Sequence, residues 1–316
     1  FNAGTPLQLL EPTLSSETQG IQTPLQSAIA FGLHPVILVG ALSVWWIMGR
    51  DASAVLVVLA AVQALLFVLE KLAPAKPQWT QSLPEKLGLF GAAVLLVIMS
   101  AALSELYGAL LFPALAAFRN AADAAFSFGD WPLLVQVALL YFGSDFLYYW
   151  VHRAIHRWPL VWRVTGHGMH HAYHRLHAVN FGVTHPFEVL LIALPMIVLA
   201  AAFGAQPEAV AGALVALVAN TSMAHSNLGM NTPVFSFCLT TSDQHRRHHS
   251  AVFDESNSNY ACNAIIWDRL FGTYSMGPVE QTGIGPRQPR IWELLFLPFR
   301  EPKDVDTVST RKAASR

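Results

Sequence analysis

Residues 133–156 read LLVQVALLYFGSDFLYYWVHRAIH, an apolar run that ends in two histidines four positions apart, His152 and His156. A helix needs about 20 apolar residues to cross a bilayer, and residues 133–151 approach that length. A helix continuing through His156 sets both imidazoles on one face at its polar end. Five further apolar stretches flank this one, at 28–48, 53–70, 87–112, 187–204 and 208–224. The last two are short, which predicts a membrane hairpin over about 187–224 that crosses incompletely.

Composition agrees with lipid as the main solvent. The 316-residue chain is 53% hydrophobic and 12% charged, about half the charged content of a soluble globular protein, and its mean hydropathy is +0.41. The expected fold class is all-α, a multi-span transmembrane helical bundle with a cytoplasmic histidine-rich helical cap. A net charge of −1 gives no field that would gather nucleic acid. Two cysteines, Cys238 and Cys262, with no CxxC pair exclude a disulfide scaffold, a thiolate zinc site and an iron–sulfur cluster. Nothing in the sequence fixes an oligomeric state.

Loop charges set the orientation. Six crossings place the N-terminal tail, the 71–86 loop and the polar stretches 152–186 and 225–316 on one side. That side holds Lys71, Lys76, Lys86, Arg153, Arg157, Arg163, Arg175, Arg246, Arg247 and every later Lys and Arg, while the other keeps Arg50 and Arg119. The positive-inside rule makes the richer side cytoplasmic. The organisation is then a polar tail at 1–27, a transmembrane anchor at 28–151, a catalytic region at 152–300 that contains the hairpin, and a mobile tail at 301–316. The tail at 1–27 lacks a basic n-region and does not read as a cleaved signal peptide. The short apolar stretch Ile291–Arg300 is read two ways, as an interfacial segment or as a packing segment of the cap.

Eight of the 13 histidines fall into three short groups, His152/His156, His167/His170/His171 and His245/His248/His249. Positions i, i+3 and i+4 share a helix face, so each group can aim two or three imidazoles at one point. Neutral imidazole is a common ligand for iron, zinc and copper. A tetrahedral zinc needs about four ligands, so eight imidazoles imply two metals with four or five ligands each. Asp145 stands seven residues before His152, on the same face, and a carboxylate near the membrane needs a partner. It is expected to orient a ligating histidine. Asp268 is expected to act in the same way. Glu188 is read as a first-turn residue of the helix that begins near His185.

The sequence resembles the fatty acid hydroxylase / sterol desaturase superfamily of integral-membrane di-iron oxygenases. The resemblance covers about 133–275 and rests on Asp145-Phe-Leu-Tyr-Tyr-Trp-Val-His152-Arg-Ala-Ile-His156, Trp162, His167-Gly-Met-His170-His171 and His185-Pro-Phe-Glu188. It continues through His225-Ser-Asn227, His245-Arg-Arg-His248-His249, Asn259-Tyr260 and Trp267-Asp-Arg-Leu-Phe-Gly-Thr-Tyr274. The stretch after His171, Ala-Tyr-His174-Arg-Leu-His177, is richer in histidine than the family pattern. The resemblance implies two iron ions, replaceable by zinc on purification, O2 as co-substrate, and hydroxylation or desaturation of a lipid C–H bond. It matches His225 to a ligand-bearing position. His185, in an HPxE sequence, and His174, three after His171, are further ligand expectations, and Asn259 joins the groups expected to support the ligands.

Electrons are expected from a separate ferredoxin or cytochrome-type donor, because the sequence shows no His-Pro-Gly-Gly haem pattern, no cysteine cluster and no GxGxxG. Arg246 and Arg247 are expected to contact that donor or a lipid headgroup. The alternative function is a zinc-dependent membrane lipid hydrolase, in which imidazole-bound zinc activates water. Such sites usually include carboxylates, which these clusters lack.

Overall fold

A computed structural model describes residues 23–121 and 127–300. The tail at 301–316 and residues 1–22 of the N-terminal tail lie outside the described residues. Among the described residues, six helices are long and apolar enough to cross a membrane: α1 (Pro24–Ile47), α2 (Ala54–Leu72), α3 (Leu83–Ala121), α4 (Leu133–Arg157), α7 (Pro186–Phe203) and α8 (Pro207–His225). Short helices build the polar cap: α5 (Pro159–Thr165), α6 (Gly168–His171), α9 (Pro233–Cys238), α10 (Ser242–His248), α11 (Phe253–Ser256), α12 (Ile266–Leu270) and α13 (Ile291–Leu295). No strand occurs among the described residues; one isolated bridge joins Ser250 to Thr282.

The helix signals are local. A reciprocal Thr23–Gln26 capping box opens α1. Pro186 and Pro207 occupy the first turns of α7 and α8, where a missing N–H leaves no bond unmade. Gly204, at φ 62°, closes α7 and permits the turn into α8. These last two helices have 18 and 19 residues, about 27–28 Å at 1.5 Å per residue, close to the hydrocarbon thickness of a bilayer.

Burial distinguishes the helices. In α8, 61% of the apolar window is buried inside the protein, against 17% in α3. α8 packs against α1, α2 and α4. Its sequence, PEAVAGALVALVANTSMAH, supplies the small residues that close approach between membrane helices requires. Gly212 is the tightest such point, since a Cβ there would lie 2.8 Å from both Trp45 and Val137. By contrast, Leu87, Phe90, Leu95, Ile98, Leu106 and Leu110 of α3 face outward, as on a helix bathed in acyl chains.

Contacts between cap and helix ends fix the relative directions. Asn231 N–H donates to the Ala30 carbonyl near the start of α1, and Ala75, just after α2, donates to Asn227. Arg175 pairs with Glu85 at the start of α3. α4 and α8 end in the cap, and α7 begins there. At the opposite end Phe128 N–H donates to Phe203, and Gln206 bonds Gly129 and Gln136. The six helices thus alternate in direction, and all the histidine groups lie at one end of the bundle.

Two buried polar joints hold the cap to the bundle. Glu70, at the end of α2, accepts from Ala178 N–H and Asn227 N–H and faces His177 Nδ1 at 3.2 Å. His34 of α1 donates through Nε2 to Asn220 of α8 at 2.6 Å, and the Asn220 amide bonds the Thr240 and Asn263 carbonyls. For Ile291–Arg300 the structure shows both faces in use. Leu294 and Leu297 pack with Trp162, Met169 and Ile284, while Trp292, Phe296 and Phe299 point outward.

Candidate metal centre

α4 delivers His152 and His156 from its last turns, α6 and the residue before it deliver His167, His170 and His171, α8 ends on His225, and α10 with its C-cap supplies His245, His248 and His249. These nine imidazoles form two groups, each with ligating nitrogens within 4.8 Å of one another: His152, His156, His167, His171 and His248 in one, His170, His225, His245 and His249 in the other. None is more than 8% exposed. The groups abut, with the His171 and His249 rings stacked at 4.3 Å between centroids.

The split follows a rule that differs from the expectation that each sequence group serves one point. Members four apart stay together (His152/His156, His167/His171, His245/His249), while the i+3 member crosses to the other group. His170 joins the His245/His249 group, and His248 joins the His167/His171 group. On a helix, neighbours in sequence diverge by about 100° about the axis, so His170 and His171, or His248 and His249, cannot share a target.

Ring tautomers show which nitrogens face inward. Nδ1 of His152 donates to the Tyr260 carbonyl at 2.6 Å, Nδ1 of His248 to the Ser258 carbonyl at 2.8 Å, and Nδ1 of His167 to the Glu188 carboxylate at 2.7 Å. In a neutral imidazole the other nitrogen is then bare. Yet Nε2 of His152 lies 3.1 Å from Nε2 of both His167 and His248. Lone pairs facing each other at that distance repel, and with no proton between them only a cation relieves the contact. With a metal–nitrogen bond of about 2.1 Å, ligands at right angles stand about 3.0 Å apart and tetrahedral ones about 3.4 Å. In the other group the nearest approaches are 3.2 Å (His170–His225), 3.0 Å (His225–His245) and 3.1 Å (His245–His249). Both groups therefore fit metal ions.

Burial favours the neutral form of five of these rings. It pushes His248 down to about 3, and it lowers His170, His171, His245 and His249 well below 6.5, with neighbouring imidazoles acting in the same direction. Among the described residues, no thiolate or carboxylate joins either group. All nine converging groups are imidazole.

The supporting residues act through the backbone. Asp145 does not meet a histidine; it accepts from the N–H groups of Asn263 and Ala264, both at 2.9 Å. Asp268 accepts from Tyr260 N–H and Ala261 N–H at 2.8 Å and from Thr273 Oγ1 at 2.6 Å. The two carboxylates thereby fix the 260–264 segment, whose Tyr260 carbonyl orients His152. Asn259, at φ 52°, bonds the Gln244 and Ser275 carbonyls and ties this segment to α10.

Four expected residues lie elsewhere. His185 caps α7, accepting from Phe187 N–H at 3.1 Å and donating to the Leu295 carbonyl at 3.2 Å. His174 follows the end of α6 at His171, so the helical register that would aim it at the cluster is lost, and its ring packs on Gly283. Arg246 is turned inward, donating to Asp243 and to the Leu228 carbonyl and lying over the Trp79 ring, so acceptors inside the cap satisfy it. Arg247 is held by Ser275 and Glu255. Arg246 is thus buried, while Arg247 stays partly exposed.

The sequence reading places Glu188 in a first turn but misses its contact with a site histidine. Glu188 lies within the first turn of α7 and takes hydrogen bonds from His167 and, at 2.9 Å, from the Tyr148 hydroxyl. The available signal was a carboxylate at the start of a membrane-spanning stretch, the same cost that singled out Asp145.

Comparison with known proteins places this site in a matched region. Residues 137–273 match the family model described as fatty acid hydroxylase. An ornithine lipid hydroxylase of Rhizobium tropici is 35% identical over 49% of this chain and 47% of its own length. An alkylglycerol monooxygenase of Xenopus tropicalis is 32% identical over 43% of this chain and 30% of its own length. A very-long-chain aldehyde decarbonylase of Oryza sativa subsp. indica is 35% identical over 45% of this chain and 54% of its own length. The chain thus spans about half or less of the length of these curated relatives. No solved structure matches.

Proposed function

We propose that this chain, whose residues 137–273 match the fatty acid hydroxylase family model, is an integral-membrane oxygenase that uses two iron ions and O2 to hydroxylate a C–H bond of a membrane lipid. The observation that carries this reading is the convergence of nine buried imidazoles into groups of five and four. When bound there, iron would supply the reduction of O2 and the removal of hydrogen from an unactivated carbon.

The protein's own residues do the rest. The five-imidazole group and the four-imidazole group hold the ions; Tyr260, Ser258, Thr221 and Glu188 fix the rings from behind. Burial keeps water from the site and leaves imidazole nitrogens bare for binding. A centre at the end of a membrane bundle receives its substrate from the bilayer. An apolar groove of about 540 Å³ on the outer face of α4, lined by Leu139, Phe142, Gly143, Phe146 and Trp267, suits an acyl chain. The ornithine lipid hydroxylase and alkylglycerol monooxygenase relatives favour hydroxylation over desaturation, and the absence of carboxylate ligands disfavours a zinc hydrolase. The positive-inside distribution supports a cytoplasmic side for the centre. Electrons come from a separate donor of ferredoxin or cytochrome type.

The test is lipid mass spectrometry and O2 uptake in membranes supplied with iron and a reductant. The expected product is a lipid heavier by one oxygen, lost in His170→Ala and His248→Ala. Oxygen consumption that survives both substitutions would refute the assignment.

A further inference from the structure

The two imidazole groups differ in what stands behind them. In the five-imidazole group, His167 donates to Glu188 Oε1 at 2.7 Å, and Glu188 is itself 1% exposed. The same oxygen accepts from Tyr148, whose ring stacks on His152 with centroids 5.4 Å apart, so the carboxylate is held by one ligand and by a neighbour of another. Glu188 Oε2 is buried with no hydrogen-bond partner. In the four-imidazole group the supports are neutral. His225 Nδ1 donates to the Thr221 carbonyl, His170 Nδ1 lies 3.5 Å from Thr184 Oγ1, and Nδ1 of His245 and of His249 is buried without a partner.

A buried dication gains more from a carboxylate behind its ligand than from a carbonyl, because the anion makes the imidazole a stronger donor and compensates the ion's charge. Once the first ion is in place, its charge opposes the second across the His171–His249 stack. We propose that Glu188 makes the five-imidazole site the tighter of the two, so that the centre takes up its metals in a fixed order, five-imidazole site first. This rests on both groups being metal sites.

The experiment is a Co²⁺ titration of the full chain in detergent, stripped of metal with a chelator, against a chromophoric competitor. The wild type should show two steps. Glu188→Gln, which keeps an oxygen acceptor for His167 but removes the charge, should weaken the tight step by about 10–100-fold and leave the weak step in place. His245→Ala should delete the weak step only, and His171→Ala the tight one. An unchanged tight step in a folded Glu188→Gln protein overturns the proposal, as does loss of the tight step in His245→Ala. The histidine variants decide the order even where the Glu188 variant fails to fold. A wild-type chain that takes up no Co²⁺ overturns the metal-centre reading itself, and this inference with it.

Discussion

Stripping the metal and lowering the pH should destabilise this protein far more than either change alone. Burial holds His248 down to about 3, whereas the same side chain titrates near 6.5 in an unfolded chain. Between those values the unfolded state binds the extra proton, so stability is fully present above pH 6.5 and declines as the pH falls. At pH 5 the loss from His248 alone is about 1.5 units times 1.36 kcal/mol, or ~2 kcal/mol. His170, His171, His245 and His249 are depressed by the same burial and act in the same direction. A domain has only about 5–15 kcal/mol in total, so the metal-free protein should unfold in mildly acidic buffer. Bound metal stabilises the folded state by mass action and moves the loss to lower pH. The assay is thermal unfolding in detergent at several pH values between 7.5 and 5, with and without chelator. A loss of at least several degrees is expected for the metal-free form, with a shallower slope in His248→Asn. A midpoint independent of pH across this range in the metal-free protein would refute the reasoning.

Other substitutions probe the scaffold. Asp268→Asn replaces a carboxylate that takes three bonds with an amide that offers one oxygen, so a loss of about 2–3 kcal/mol is expected, together with a lower metal-to-protein ratio as the Tyr260 carbonyl shifts from His152. His174→Ala should leave that ratio unchanged; loss of an ion would return this imidazole to the ligand set. Gly212→Ala places a methyl group 2.8 Å from Trp45 and Val137, which should lower the melting temperature by the equivalent of about 1–3 kcal/mol without removing a ligand.

Much of this architecture is readable from the chain because two strong signals coincide. Apolar runs near bilayer length mark the six helices, and histidines at helical spacing mark the ends of those that matter. His225 was within reach for the same reason, as the last residue of a span. The partition of ligands was not readable. It depends on α6 and α10 approaching with their i+3 members toward each other's targets, a tertiary fact that spacing alone does not encode. Asp145 illustrates a different limit. A carboxylate among backbone donors binds the nearest N–H groups, and those belong to Asn263 and Ala264 rather than to a histidine. Arg246 shows that a basic residue in a polar loop need not face solvent when carbonyls and an aromatic ring surround it.

The exchange of His170 and His248 between the two groups has a consequence for biogenesis. His248 stands 96 residues after His152, on the far side of the α7–α8 hairpin. A growing polypeptide that has made only its first four spans and the 167–171 turn holds neither set of nitrogens complete. Both sets close together, once translation has passed His249 and the last pair of helices has been inserted. Half-finished chains thus lack one imidazole of the five-membered group and three of the four-membered group.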